Sequence, residues 1–184
     1  MITSTTLDPL AHMLPEPSVE TDPHRVGIVG LQAERGAELW GLARHLGLSP
    51  DEADDAVQET LVRLWSALCD GAIIERLDAW AFRAIYRLAM DRHRWRRRVR
   101  LLADRLGAQP ERRSAVDIAD RMAIWDAVEG LPQRQRLAVY LRYRADLPYE
   151  EIGAILGIAA PSVRSHVSRA LDALRVALGE ETSR

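Results

Sequence analysis

One stretch, Leu131 to Leu178, limits what this chain can fold into more than any other, because its punctuation is that of two short helices meeting at a tight turn. Ile152, Ile155 and Leu156 give the first helix an apolar side. Gly157 supplies a C-terminal stop, and Pro161 suits the first position of the next helix, where a missing amide proton costs nothing. In that second helix Val163, Val167, Ala170, Leu171, Leu174 and Leu178 recur at intervals of three and four, the period of one buried stripe. The face left over carries Ser162, Ser165, Ser168 and Arg169, flanked by Arg164 and His166. Short hydroxyls and guanidinium groups there suit phosphates and base edges in a major groove. A helix-turn-helix is the expected unit.

The rest of the chain also reads as helix, with no convincing strand and no internal repeat. A first helix over about 27–46 carries Leu31, Leu39, Leu42, Ala43 and Leu46 and ends at Gly47. Ser49-Pro50-Asp51-Glu52 has the form of a capping box with proline at the first helical position, opening a second helix from about Pro50 to Leu68. Its core stripe is expected to be Val57, Leu61, Leu64, Trp65 and Leu68. A third helix starts near Asp78, a candidate N-cap, and continues to Arg98. Residues 99–118 contain Gly107 and Pro110, several charges and no sustained period, so they are expected as a flexible linker. Helices over about 119–129, 133–144, 149–156 and 162–178 complete a second domain, 119–179. The expectation is an all-α chain of two small helical domains. Residues 1–26, with four acids, four prolines and no arginine before Arg25, form a disordered extension ahead of the first domain, 27–98.

The net charge of −2 conceals a segregation. All 25 basic residues are arginine; eight acids face three arginines between Glu34 and Asp70, whereas twelve arginines face four acids between Arg76 and Arg113. Separate surfaces for separate partners follow from such alternation. On the second helix Asp55, Glu59, Val62 and Ser66 point away from the core stripe, with Gln58 and Arg63 at the flanks. On the third, Phe82, Ile85, Ala81 and Ala89 mark the buried side. Arg83, Arg87, Arg94 and Arg98 lie within a sector of about 60°. Arg96 and Arg97 continue the positive end, and Asp91 is the only acid between Asp78 and Asp104. Guanidinium groups along one ridge repel one another unless an anion lies against them, and a DNA backbone supplies closely spaced phosphates. Trp80, Tyr86 and Trp95 are aromatic candidates for base stacking beside that ridge.

Two blocks carry a family resemblance. LPQRQRLAVYLRYRADLPYEEIGAILGI followed by SVRSHVSRALDALR resembles the C-terminal domain of bacterial RNA polymerase sigma factors of the extracytoplasmic-function group. DEADDAVQETLVRLW at 51–65, with WAFRAIYRLAMDRHRWRRR at 80–98, resembles their N-terminal domain, and the likeness covers roughly 27–178. It implies sigma domain 2 at 27–98 and sigma domain 4 at 119–179, with core RNA polymerase and promoter DNA as partners. Asp55, Gln58 and Glu59 match the family's D-x-x-Q-E pattern. With Val62 and Arg63 they would dock on the clamp helices of the largest polymerase subunit; the flap of the second-largest subunit is a further implied partner. Trp80, Arg83, Arg87, Arg94, Arg96, Arg97 and Arg98 would contact the minus-ten element and help open it, with an extruded base held at the edge of the domain. Ser162, Arg164, Ser165, His166, Ser168 and Arg169 would contact the minus-thirty-five element, Arg164, Ser165 and Arg169 matching V-[KR]-S-x-x-x-R. Three positions depart from the family: Arg87 replaces an asparagine, Pro161 a common glycine and His166 a frequent arginine. Family members are often restrained by an anti-sigma protein, and no residue here identifies one.

Other classes fit less well. Five scattered histidines, no metal-ligand cluster and no glycine-rich loop after a strand argue against an enzyme, a cofactor or a small-molecule substrate. A response-regulator output domain would bring an α/β receiver, and an arginine-rich RNA-binding protein would not need the acidic helix. The lone Cys69 excludes an internal disulfide. With no run of 18 apolar residues and no secretory signal, the expected location is cytoplasmic, without membrane insertion.

Overall fold

The computed structural model describes residues 22–105 and 127–178; the expected disordered lead-in at 1–21, linker residues 106–118 and the start of a helix at 119–126 lie outside the described residues. Helix α1 (Pro23–His45) begins ahead of the expected start at 27, because Asp22 caps it, accepting the His24 amide at 2.9 Å, and Pro23 occupies its first turn. Leu31, Leu39, Leu42 and Ala43 face inward, and Gly47 ends the helix at φ 83°, a left-handed conformation glycine adopts without strain.

Helix α2 (Pro50–Cys69) opens with the expected capping box: the Glu52 amide donates to Ser49 Oγ at 3.3 Å and the Ser49 amide to Glu52 Oε2 at 2.8 Å. Its buried stripe is Ala53, Ala56, Val57, Thr60, Leu64 and Leu68. Trp65, expected in that stripe, is 37 % exposed instead. At 100° per residue, Ala53, Thr60 and Leu64 share the centre of the buried side, and Trp65 falls roughly a third of a turn away from it.

Helix α3 (Leu77–Arg105) buries Ala81, Phe82, Ile85, Leu88 and Ala89 against α1 and α2. Asp78 is not its N-cap; it sits inside the first turn, its carboxylate accepting from Arg76 Nη2 at 2.7 Å and Nε at 3.2 Å. The helix also runs past Arg98, so residues 99–105 are helical rather than linker. Val99, Leu101, Leu102 and Ala103 hold no helix breaker, and the first one ahead is Gly107.

In the C-terminal module a helical turn at 127–129 stops at Gly130, followed by α4 (Gln133–Val139), α5 (Tyr149–Leu156) and α6 (Ala160–Ala177). The helix expected over 133–144 changes pitch, because Tyr140–Arg144 is a π-helical turn closed by the Ala145 amide on the Tyr140 carbonyl at 3.1 Å. Gly157 ends α5 in the left-handed region (φ 69°, ψ 35°), and Pro161 lies in the first turn of α6. Gly153 holds the turn close: its carbonyl accepts the Ile158 amide at 3.0 Å, and a Cβ there would lie 2.6 Å from the Ile158 carbonyl oxygen. Val163, Val167, Ala170 and Leu174 are buried, while Leu178, expected to extend the stripe, is 43 % exposed beyond the last packed turn. No strand occurs among the described residues.

Glu52 joins α2 to α3. Its carboxylate accepts from the Arg96 guanidinium, and the Arg92 guanidinium donates to its main-chain carbonyl. Burial pushes this carboxyl upward, but the bonds from Arg96 and Ser49 outweigh it and bring the pKa from 4.5 to about 2. A depressed carboxylate contributes stability that is whole above pH 4.5 and disappears as pH falls through about 2. Glu52→Gln is therefore expected to unfold more easily at neutral pH, with its deficit shrinking below pH 4.5 in urea titrations; a deficit that does not change with pH would contradict this role. Gly153→Ala should cost about 1–3 kcal/mol, the usual penalty of overpacking, read as a lower melting midpoint by circular dichroism. A melt like that of the unaltered chain would contradict the close approach.

Candidate nucleic-acid interface

The exposed side of α6 presents Ser162, Arg164, Ser165, Ser168 and Arg169 to solvent, while Val163 and Val167 anchor the opposite side. Arg164 is pre-oriented: its guanidinium carbon lies 5.3 Å from the Tyr149 ring centre, and Nη2 is 3.4 Å from Glu150 Oε1. Arg142 lies 5.2 Å from that ring and donates to the Leu147 carbonyl at 3.1 Å, so Tyr149 carries two guanidinium groups. The acids at the start of α5 have a helix-dipole reason to be there, yet Glu150 also reaches Arg164 and Glu151 reaches Arg76 at 2.8 Å. His166 is half-buried, and its Nδ1 has no hydrogen-bond partner.

On α3, Arg87, Arg94, Arg97 and Arg98 are exposed along one side. Arg94 leans on Asp91 at 2.6 Å, but both side chains are largely in solvent, where such a pair is weak and easily exchanged for a phosphate. No ion pair to Arg87, Arg97 or Arg98 is found among the described residues. Arg87, Arg94 and Arg97 rim an open depression of about 470 Å³ floored by Tyr86, Met90 and His93. His93 Nε2 lies 2.6 Å from the Leu46 carbonyl and so ties α3 to the end of α1.

Three residues expected on this ridge sit differently. Arg96 is turned into the α2–α3 junction by Glu52, because the capped start of α2 places a carboxylate beside it. Arg83 is half-buried with its Nε out of solvent, and Trp80 packs against the core. Trp95, by contrast, is 60 % exposed beside the arginines.

The anionic face of α2 is a separate surface. Asp55 and Gln58 are exposed, Val62 is 67 % exposed, and Glu59 pairs with Arg63 one turn on. Among the described residues no helix is long and apolar enough to cross a membrane, and no cluster of three or more histidine, cysteine or acidic side chains could hold a metal ion.

What the sequence left unseen is mostly long-range. The tie from Glu52 to Arg96 and the one from Arg76 to Glu151 join residues far apart in the chain. The Tyr149 platform had a nearer signal, an aromatic at the start of the helix that precedes the basic one.

Two sequence profiles match the chain: Sigma-70 region 2 over residues 33–99 and Sigma-70, region 4 over residues 121–174. An ECF RNA polymerase sigma factor, EcfG of Rhodopseudomonas palustris, is 33% identical over 145 residues, covering 76% of this chain and 78% of that protein. Another, SigL of Mycobacterium tuberculosis, is 32% identical over 158 residues, covering 82% of this chain and 88% of that protein. Among solved structures, the sigma factor RpoE in complex with the anti-sigma factor NepR from Bartonella quintana superposes with a TM-score of 0.61 at 27% identity, over 87% of this chain and 99% of that one. With two cationic helix faces on two modules and relatives matched along most of their length, the chain belongs to the extracytoplasmic-function group of the sigma-70 family, the RNA polymerase subunits that direct transcription initiation at promoters.

Proposed function

We propose that this chain is a promoter-specificity subunit with no active site of its own, acting in the cytoplasm beside core RNA polymerase. Its three surfaces have separate tasks. The exposed face of α2, with Asp55, Gln58, Glu59, Val62 and Arg63, docks on the clamp helices of the largest subunit. The α3 ridge of Arg87, Arg94, Arg97 and Arg98, with Arg83 and Trp80 at its inner edge, lies along the minus-ten element and holds the opened strand. The outer face of α6 enters the major groove at the minus-thirty-five element, and the C-terminal module meets the flap of the second-largest subunit. Arg96 supports the ridge through Glu52 rather than touching phosphate.

The observation that carries this reading is charge placed without internal compensation: Arg87, Arg97, Arg98 and Arg169 are exposed and have no carboxylate partner among the described residues. Stacked cations on one helix side are unfavourable in isolation and become favourable when phosphates displace counterions. Arg94 and Arg164 exchange solvent-exposed carboxylates, Asp91 and Glu150, for phosphate on binding. The Tyr149 platform keeps Arg164 extended, so less side-chain freedom is lost when DNA arrives.

The reading is tested at single residues. Arg169→Ala is expected to weaken binding of the polymerase complex to the upstream element by about 1–3 kcal/mol if the guanidinium reads a base. If it touches only phosphate, the loss is nearly sequence-independent and the salt slope falls by about 0.9. Unchanged affinity and unchanged salt slope would remove Arg169 from the interface. Changing Asp55 and Glu59 to arginine should abolish capture of core polymerase in a pull-down while the circular dichroism spectrum stays the same; recovery of polymerase at the level of the unaltered protein would remove the α2 face.

A further inference from the structure

The cationic ridge of α3 runs into a narrower space beside it. The open depression of about 470 Å³, rimmed by Arg87, Arg94 and Arg97, shares Tyr86 and Met90 with a gap of about 170 Å³. That gap lies at the edge of the continuous apolar core, where Leu137 of α4 and Leu156 of α5 are buried and Tyr86 and Met90 pack from α3. Gln133 and Arg134, exposed on the first turn of α4, form its outer rim. Because Tyr86 and Met90 belong to both spaces, one ligand can fill the narrow end and reach the wide one.

The two ends differ in chemistry. The narrow end offers a tyrosine ring, a thioether and two leucine side chains, with the Gln133 amide able both to donate and to accept. An apolar cavity of about 150 Å³ takes up a benzene ring, so a gap of this size suits a flat heterocycle slightly larger. The wide end offers three guanidinium groups and the His93 ring, and Arg134 adds a fourth guanidinium at the narrow rim. Among the described residues no carboxylate lines either space. Arg94 does pair with Asp91, but that contact is largely in solvent and yields to a stronger anion. Arg87 and Arg97 stand about 15 Å apart along the helix, a span that long side chains can close around linked phosphates and not around one carboxylate.

We propose that this trough binds a free purine nucleoside polyphosphate, its base in the narrow gap and its phosphates on Arg87, Arg94 and Arg97. Tyr86 supplies the stacking face, and Gln133 the hydrogen bonds to the edge of the base. An unpaired nucleotide of a DNA strand carries the same groups but brings one phosphate for each base. Several cations beside a single gap of base size match several phosphates on one base. Bound there, the nucleotide takes the arginines assigned above to the minus-ten element, so it competes with promoter DNA. That consequence rests on the function proposed above; the site itself does not.

Binding is read by isothermal titration calorimetry on the full chain, with GDP and ADP as probes and guanosine and inorganic pyrophosphate as controls. One molecule of GDP or ADP per chain is expected, held at least tenfold more tightly than either control. No binding of either probe, or pyrophosphate binding as tight as theirs, would overturn the proposal. Gln133→Trp sets an indole across the narrow end from an exposed position, so the core stays as it is. It should weaken the nucleotide at least tenfold with pyrophosphate binding and helicity unchanged. Arg134→Glu, equally exposed, should weaken nucleotide and pyrophosphate together. Full nucleotide affinity in either variant would overturn the site. A single-stranded oligodeoxynucleotide distinguishes the source: a strand that loses affinity through Gln133→Trp where neither GDP nor ADP binds would assign the gap to DNA and overturn the proposal. In the polymerase complex, GDP should lower promoter affinity with the unaltered chain and not with Gln133→Trp, a comparison that cancels nucleotide sites on the polymerase. GDP bound by a chain that never redirects polymerase would leave the trough standing and sink the sigma function; redirection without nucleotide binding would do the reverse.

Discussion

The Glu52 carboxylate is the joint on which the N-terminal module turns. It caps α2 through the Ser49 amide and takes the Arg96 guanidinium of α3, while its own carbonyl receives Arg92. One acid thus fixes an anionic helix against a cationic one. Without it, two helices whose outer faces carry opposite charge would keep only the Arg92 bond to the main-chain carbonyl of residue 52 besides the non-directional apolar packing among Ala53, Ala56, Phe82 and Ile85. With it, the arginines that remain outside, Arg87, Arg94, Arg97 and Arg98, keep a set direction relative to the Asp55 and Gln58 face. The proposed division of tasks, polymerase on the α2 face and DNA on the α3 ridge, requires that relation to be fixed.

The C-terminal module solves a different problem, bringing two helices together across a very short turn. Gly153 permits the close approach, Gly157 takes the left-handed step, and Pro161 starts the second helix without wasting a donor. Val163 and Val167 then lock α6 so that its serines and arginines face out. Tyr149 adds a flat support on which Arg142 and Arg164 rest. Most of the order of this face therefore comes from apolar and aromatic contacts behind it, leaving the charged tips in solvent.

Much of this was legible in the residues themselves. Helical period, the Ser49–Glu52 capping box and the Gly157 stop are local signals, and the helices that open at Pro50 and end at Leu156 follow them; most of the helix expected over 119–129 lies outside the described residues. Boundaries slipped where a local rule met a stronger one: Asp22 with Pro23 started α1 early, and a run free of breakers carried α3 to Arg105. Trp65 was misjudged because period alone does not say which side small residues such as Ala56 and Thr60 will pull inward. The pairing of Arg96 with Glu52 was not foreseen, because a ridge of like charge in one helix says nothing about an acid in another. The contact of Tyr140 with α1, its hydroxyl donating to the Glu38 carbonyl at 2.8 Å above Gly41, was invisible for the same reason: a glycine in a helix announces a close neighbour without naming it.

Redirection of polymerase by this chain is the property on which its proposed role depends. Core enzyme should be incubated with the protein and a library of genomic DNA, and the 5′ ends of the transcripts mapped. The expected result is a set of start sites absent with core enzyme alone, preceded by two short motifs at one fixed spacing. Start sites identical with and without the protein would contradict it.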